Sequence, residues 1–525
     1  MLRRIIPMRP KGVKDDNSQK GNGMKLQKLI NHIRYREIIN FRDVEISGIT
    51  CDSRKAGPGC IFAAVHGARE DGSRYAAQAV EAGAVAVVSD RRLALNGGLV
   101  QIIVDDARKT LSAFAAAVND HPSTKLNVIG VTGTNGKTTT TYLVRSILEN
   151  AGRPCGVVGT IQYQTGGAVM EAGNTTPDAA ELQGLLGRMV AEGMEFCAME
   201  VSSHSLVQDR VADVHFDSAV FTNLSHEHLD YHLTLDEYFA AKALLFDMLN
   251  DSSHAILNAN DPRSVALAQR TRAQVTWYGI DCGADFGAKT ISSGIDGSRV
   301  ALDTPKGERE LKLKLIGRHN VSNALAAAAA CSAYGVKIEQ IVRGLEAVTS
   351  VPGRLERVDS GEGFAVFVDF AHTDEALNAV LSNLRELTPR RIITVFGCGG
   401  DRDRGKRPKM AAASAKWSDL VVVTSDNPRT EAPLAIIEEI KRGFPPTADY
   451  IVEPDRAAAI EKAISLAEPG DLVLIAGKGH ENTQKFADRV IPFDDREVAR
   501  SILACRRTAK CGGKSTVKQE TTVGY

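Results

Sequence analysis

Residues 126–139 read Leu-Asn-Val-Ile-Gly-Val-Thr-Gly-Thr-Asn-Gly-Lys-Thr-Thr. The continuous apolar run over residues 126–132 suits a buried parallel strand. Small residues follow it, and then a helical stretch from Lys137 to about Asn150 that Gly152 and Pro154 stop. Strand, glycine-rich loop and helix in that order form the setting of a phosphate-binding loop. The small residues let backbone N–H groups converge on phosphate oxygens, and the helix N-terminus adds partial positive charge. Lys137 is then expected to reach the terminal phosphates of a nucleotide, and the Thr138 hydroxyl to meet Mg2+. One position departs from the pattern GxxxxGK[ST]: Val131 stands where a glycine is usual. Taken alone, the loop predicts nucleotide binding and leaves the reaction open.

Outward from this loop the pattern repeats. Strand-like runs at residues 195–201 and 218–222 and a helical stretch at 235–249 follow it. Further apolar strands at 391–396, 420–424 and 471–476 alternate with helical segments. Strands separated by helices predict parallel sheets, here twice over. The fold class is therefore α/β in three domains, with a central parallel-sheet domain of phosphate-loop type, expected to bind nucleotide, and a Rossmann-like C-terminal domain. The expected boundaries are a polar, disordered tail at 1–23, an N-terminal domain at 24–110, the central domain at 111–351, a C-terminal domain at 352–510 and a second tail at 511–525.

Composition narrows the class. The chain has 525 residues, 43% hydrophobic and 24% charged, which is globular rather than disordered. Lys plus Arg and Asp plus Glu both number 64, so no overall field favours nucleic acid or an anionic membrane. The longest apolar stretch, 324–336, is alanine-rich and shorter than the about 20 residues a bilayer span takes. Nine cysteines lie scattered without a CxxC pair, which suits free thiols in a reducing cytoplasm. A cytoplasmic monomer without membrane insertion or nucleic-acid partner is expected.

Further motifs stand in a fixed order: MEVSSHSLVQDRV at 199–211, TNLSHEHLDYH at 222–232, GRHNVSNA at 317–324, PGRLE at 352–356, DNPR at 426–429 and GKGHE at 477–481. With the loop at 133–139, this ordered set resembles the Mur ligases from about Met24 to Arg506, and most of all the diaminopimelate-adding branch of that family. The resemblance implies an ATP-dependent carbon–nitrogen ligase of peptidoglycan precursor synthesis, serving cell-wall growth and division. ATP would phosphorylate the D-glutamyl carboxylate of UDP-N-acetylmuramoyl-L-alanyl-D-glutamate, and the amine of meso-2,6-diaminopimelate would attack the acyl phosphate. Crowding a triphosphate, a carboxylate and a pyrophosphate together makes cationic clamping the dominant demand.

The same resemblance implies the site. Gly133, Thr134, Asn135, Gly136, Lys137, Thr138 and Thr139 hold ATP, with Asn320, Arg354, Asp369 and His372. Thr138, Glu200 and His228 hold magnesium, supported by Lys242 carrying a CO2-derived carbamate; Lys137, Lys242 and His228 are the catalytic set. Without the family, His226-Glu227-His228 reads as a solvated loop and Lys242 as a surface lysine. His226 and His232 are given no role. Ser53, Ala68, Arg69 and Glu70 are expected on the nucleotide sugar. Asn174, Thr175, Thr176, Ser202, Gln208 and Arg210 are expected on its muramoyl and peptide parts. Arg402, Asp426, Asn427, Pro428, Arg429, Gly477 and Glu481 are expected around the incoming amino acid, with the Arg429 guanidinium on the carboxylate that lysine lacks. The family's usual DYAHTPD reads Asp369-Phe370-Ala371-His372-Thr373-Asp374-Glu375 here, so the shape of that loop is open.

Rival readings are a lysine-adding Mur ligase, a folylpolyglutamate synthetase and a non-ligase nucleotide-binding protein. The folate enzymes share GTNGK but continue GKGS, where this chain has Thr138-Thr139, and they lack DNPR and GKGHE. Neither an NKxD guanine motif nor an LSGGQ transporter signature is present.

Overall fold

The computed structural model describes residues 23–67, 70–95, 98–225, 227–387 and 390–512. The expected tails therefore fall outside the described residues, apart from Gly23, Cys511 and Gly512. The chain divides into two compact units, each described below by itself. The first takes the residues up to Pro122 together with Asp178–Gly187 and Gln208–Val214; the second takes all the rest.

The first unit is built on a five-stranded sheet in the order Glu37–Ile39, Val100–Ile103, Ala86–Ser89, Cys60–Ala63, Gly48–Thr50. Its strands are parallel except the first. Helix Ala107–Val118 covers it, its N-terminus capped by the Asp106 side chain, which accepts from the N–H groups of Arg108 and Lys109.

The second unit contains two large sheets, beside the antiparallel pair Thr483–Lys485 and Val490–Pro492. The larger has eleven strands, and its central seven are parallel, from Cys155–Val158 through Phe196–Glu200, Asn127–Thr132, Ser218–Phe221, His254–Asn258 and Gln274–Ile280 to Phe286–Gly294. Antiparallel strands extend both ends. The hairpins over 286–313 are not among the strands expected from sequence, because they alternate charged and apolar residues without a flanking helix. The strand Asn127–Thr132 stands where the strand order reverses, the place at which open α/β sheets bind ligands.

Helix Lys137–Asn150 leaves that strand and buries Leu143, Val144, Ile147 and Leu148 against the sheet, at roughly 1.5–3 kcal/mol for each side chain fully removed from water. Helix Arg318–Ser332 packs beside it, and its alanine run 326–330 is buried on every face. Side chains that short let one helix lie close to both the sheet and its neighbour. The alanine-rich stretch thus belongs to the core, and among the described residues no helix is long and apolar enough to cross a membrane.

The smaller sheet has six strands in the order Glu356–Val358, Ala365–Asp369, Leu472–Ala476, Ile392–Phe396, Leu420–Val423, Tyr450–Val452, parallel except for the first. The strands expected at 391–396, 420–424 and 471–476 are all present. Cys51, Cys60, Cys155, Cys197, Cys282, Cys331, Cys398 and Cys505 are free thiols, and burial pushes the pKa of Cys155 and Cys398 up to about 12.

One buried ion pair ties the last helix, Asp495–Gly512, to this sheet. Arg456 and Asp495 are both fully buried and joined by two hydrogen bonds of 2.7 Å. The same guanidinium donates to Ser425 O and Ala476 O, just beyond two strand ends. Removing one partner strands a buried charge, at a cost of roughly 3–5 kcal/mol. Asp495→Ala should therefore lower the melting transition by roughly 6–20 °C; calorimetry showing an unchanged transition would deny the pair a structural role.

Candidate active site

The phosphate loop begins later than its sequence pattern suggests. Val131 lies within the buried strand, paired with Glu200 and Val220 on either side, so a glycine there would serve no turn. The turn starts at Gly133, whose φ is 148° and whose added Cβ would lie 1.8 Å from Thr222 Oγ1. Only glycine fits that approach. Gly136, with φ 88°, precedes the helix that Lys137 opens.

Two ammonium groups meet on one carbonyl here. Lys137 Nζ donates to Gly133 O at 2.9 Å and to Thr134 O at 2.7 Å. Lys242 Nζ also donates to Gly133 O, at 2.9 Å. Lys242 is 1% exposed, not the surface lysine its helical setting alone suggests. Its helix, Leu235–Asp247, is capped by Thr234 and turns this residue inward, 4.1 Å from the centre of the Tyr238 ring. Burial, and then the Lys137 charge, push its pKa well below the usual lysine range. Burial also lowers that of Lys137, against the pull of Glu227 and Glu200.

Across the loop, Thr138 Oγ1 donates to Glu200 Oε1 at 2.9 Å. Glu200 ends a central strand, is 1% exposed, and also accepts from Thr160 N and Thr160 Oγ1. Arg354 reaches Thr138 Oγ1 at 3.4 Å. The Thr138 hydroxyl and Glu200 carboxylate make a hard-oxygen pair suited to Mg2+. Among the described residues no three His, Cys, Asp or Glu side chains gather as a metal site. His228, in left-handed backbone at φ 57°, meets the rings of His204 and Tyr238 instead. His226 lies outside the described residues.

The nucleotide contacts expected further along the chain are partly structural. Asn320 Nδ2 donates to Ile316 O, and its Oδ1 accepts from Asn323. Asp369 accepts from the N–H groups of Leu355 and Ala371, and burial raises its pKa. His372 Nδ1 lies 2.9 Å from Phe370 O. The departure at Phe370 has a visible consequence. Its ring meets those of His372 and His480 at tilted angles and lies 5.1 Å from the Arg354 guanidinium carbon, so an aromatic face holds this loop without a tyrosine hydroxyl.

A cleft of about 680 Å3 in the second unit is lined by Thr160, Asn174, Thr175, Phe370, Glu481 and Arg496 among others. Thr175 Oγ1 lies 3.1 Å from Thr160 Oγ1, Thr176 Oγ1 donates to Glu200 O, and Ser202 N donates to Thr176 Oγ1. The 174–176 turn is thus joined to the Glu200 strand end. Asn174 is fixed through its backbone to the Tyr163 hydroxyl.

At the other wall, Asn427 Nδ2 donates to Glu481 Oε2 at 2.8 Å. Lys478, fully buried, donates to Glu481 Oε2, Asn427 Oδ1 and Thr483 O. Asp426 Oδ1 accepts from Asn427 N. Gly477, at φ 114°, leaves room for Asp426 Oδ2, which would lie 2.9 Å from a Cβ there. Arg429 has φ 52°, a conformation costing about 1–3 kcal/mol outside glycine. Its N–H donates to Lys485 O and its guanidinium to Gly400 O, behind which Pro428 O closes on Gly400. Arg402 is exposed on the neighbouring turn.

Four expected contacts belong to the first unit. Ser53 Oγ donates to Gln78, Glu70 accepts from the Tyr75 hydroxyl, and Arg210 donates twice to Gln208. Ala68 and Arg69 lie outside the described residues. Sequence reasoning passed over Thr160 and Lys478. Lys478 stood inside the GKGHE motif and was readable there, whereas a lone threonine carries no signal.

The Mur ligase middle domain matches residues 131–331, the Mur ligase glutamate ligase domain 353–479, and the Mur ligase family catalytic domain 45–122. The UDP-N-acetylmuramoyl-L-alanyl-D-glutamate–2,6-diaminopimelate ligase of Solibacter usitatus is 45% identical over 87% of this chain and 94% of its own length. The enzyme of the same name from Syntrophomonas wolfei is 44% identical over 91% and 99%. A solved structure of a ligase of that name aligns with TM-score 0.65 at 32% identity, covering 92% of this chain and 99% of its own. With one fold, three matched domains and relatives covered almost end to end, the chain belongs to the Mur ligase family.

Proposed function

We propose that the chain is an ATP-dependent ligase that joins meso-2,6-diaminopimelate to the D-glutamyl carboxylate of UDP-N-acetylmuramoyl-L-alanyl-D-glutamate. The observation that carries this reading is one compact unit holding both a cation-rich phosphate loop and the Asp426–Arg429 and Gly477–Glu481 loops. The names of the relatives point the same way. In this reading Gly133–Thr139 cradle the triphosphate, and Lys137 swings from its loop carbonyls onto the transferred phosphoryl group. Arg354, Asn320, Asp369 and His372 hold the rest of the nucleotide. Thr138 and Glu200 hold Mg2+, with His228 as a further ligand; bound there, the ion offsets charge on the phosphate oxygens. Ser53, Ala68, Arg69 and Glu70 take the nucleotide sugar, and Asn174, Thr175, Thr176, Ser202, Gln208 and Arg210 its muramoyl and peptide parts. Phosphate release should require both the UDP-muramoyl dipeptide and an amino acid; release with nucleotide alone would favour a non-ligase ATPase.

Lys242 is the residue we assign a carbamate. Its low pKa favours the neutral amine, which adds to CO2 with loss of one proton. The resulting anion stands beside Lys137, which it attracts where an ammonium would repel. Lys242→Ala should be inactive and partly rescued by a short carboxylic acid. An unmodified Nζ in a well-resolved crystal structure of an active preparation would remove this role.

Amino-acid choice rests on Arg429 and Arg402, with Asp426, Asn427, Pro428, Gly477 and Glu481 completing the pocket. Glu481 Oε2 is already engaged by Lys478 and Asn427, which leaves Oε1 for the distal ammonium. A site that presents a guanidinium fork to a carboxylate discriminates against lysine, which leaves the fork unpaired. Arg429→Ala should lose about 30- to several-thousand-fold in kcat/KM for meso-diaminopimelate with ATP affinity barely changed. Equal use of lysine and diaminopimelate by the unmutated protein would overturn the specificity and leave the ligase assignment standing.

A further inference from the structure

Arg402 and Arg429 sit on different loops, after different strands of the six-stranded sheet. Two guanidinium groups meant for one small substrate repel each other, so their loops need a tie of their own. The structure contains such a device. Arg407, in helix Lys406–Trp417, is fully buried. Its guanidinium donates to both carboxylate oxygens of Glu431, at 2.8 and 3.0 Å, and to Glu439 at 2.8 Å. It also donates to Gly399 O at 3.3 Å.

Glu431 closes the connection from the other side. It follows Arg429 by two residues, and its Oε1 accepts from Asp401 N at 2.7 Å. Arg404, next but one to Arg402, donates to its Oε2 at 2.9 Å. Asp401 returns the contact by accepting from the Thr430 hydroxyl at 2.6 Å. Gly400 N donates to Asn427 O at 2.9 Å, and a Cβ on Gly400 would lie 1.9 Å from Pro428 O. The two loops are therefore in direct backbone contact, with one carboxylate bridging them from below. Arg407, and then Arg404, hold the Glu431 carboxyl well below the usual carboxylate range, so the bridge stays anionic.

We propose that Arg407 and Glu431 are positioning residues for the amino-acid site: their ion pair sets the separation of the Arg402 and Arg429 loops and so the fit to a dicarboxylic, diamino substrate. Neither side chain needs to touch the substrate. Their action is on two arginines that do, and it rests on the reading of this pocket as the diaminopimelate site. A misplacement of about 1 Å produced away from the reacting atoms can cost up to about 10²-fold.

The test compares Glu431→Gln, Arg407→Lys and Thr430→Val in steady-state phosphate release, with melting curves for each. Glu431→Gln and Arg407→Lys should raise KM for meso-diaminopimelate about tenfold or more, while KM for ATP and for the UDP-muramoyl dipeptide stays within about twofold. The kcat at saturating diaminopimelate should fall far less than that KM rises. Thr430→Val removes an exposed hydroxyl and leaves the core intact, so it should act in the same direction by about two- to threefold and decides the matter if the other two fail to fold. A folded variant with an unmoved KM for diaminopimelate, or with all three KM values shifted together, overturns the clamp alone. Absence of diaminopimelate-dependent phosphate release by the unmutated protein overturns the reading of the pocket, and the clamp with it.

Discussion

Two buried lysine ammonium groups donate to a single carbonyl oxygen, that of Gly133. Much of the central site follows from that crowding. Like charges this close, poorly solvated, are tolerated only where anions offset them; Glu227 does so for both lysines and Glu200 for Lys137. Gly133 has to lack a side chain because the Thr222 hydroxyl occupies the space a Cβ would take. The same residue therefore fixes the loop, turns its carbonyl to both cations and holds the loop against the neighbouring strand end. Charge placed in this way ahead of the reaction is what stabilises a transferring phosphoryl group.

The six-stranded sheet solves a related problem with different means. Its loops gather at the C-terminal ends of the strands, and cations bound from beneath hold them there. Arg456 donates to Ser425 O and Ala476 O while paired with Asp495. Lys478 donates to the side chains of Asn427 and Glu481. Arg407 spans Glu431, Glu439 and Gly399. Each of these cations is fully buried and takes carboxylate or amide and carbonyl oxygens from more than one segment. Buried ion pairs are weak sources of net stability, but breaking one is costly. Their value here is geometric: loops otherwise free to drift keep a fixed spacing.

The cleft between these two sets of loops explains the role of Phe370. A tyrosine would bring a hydroxyl that needs a partner, whereas phenylalanine offers only a face. That face meets Arg354, His372 and His480, and so links the Asp369 loop to the Gly477–Glu481 loop. Gly477 N donates to Asp369 O and completes the join.

The α/β class, the phosphate loop and the principal strands were legible because their signals are local. Residues 126–139 carry strand, turn and helix within fourteen positions, and DNPR and GKGHE are each contiguous. Local chemistry of this kind survives without knowledge of the fold. What only the tertiary structure decided involves residues far apart in the chain. Lys242 reads as a surface lysine until its helix packs it against Gly133, 109 positions away. Val131 reads as a defect in a motif until it proves to be strand core. Arg407 and Glu431 are 24 apart and Lys478 and Asn427 are 51 apart, separations at which no periodicity or spacing rule links two residues. Asp178–Gly187 and Gln208–Val214 join the first unit although the sequence around them belongs to the second. A side chain's partners depend on which strand ends lie side by side, and strand order is set by the whole sheet rather than by any stretch of sequence within it.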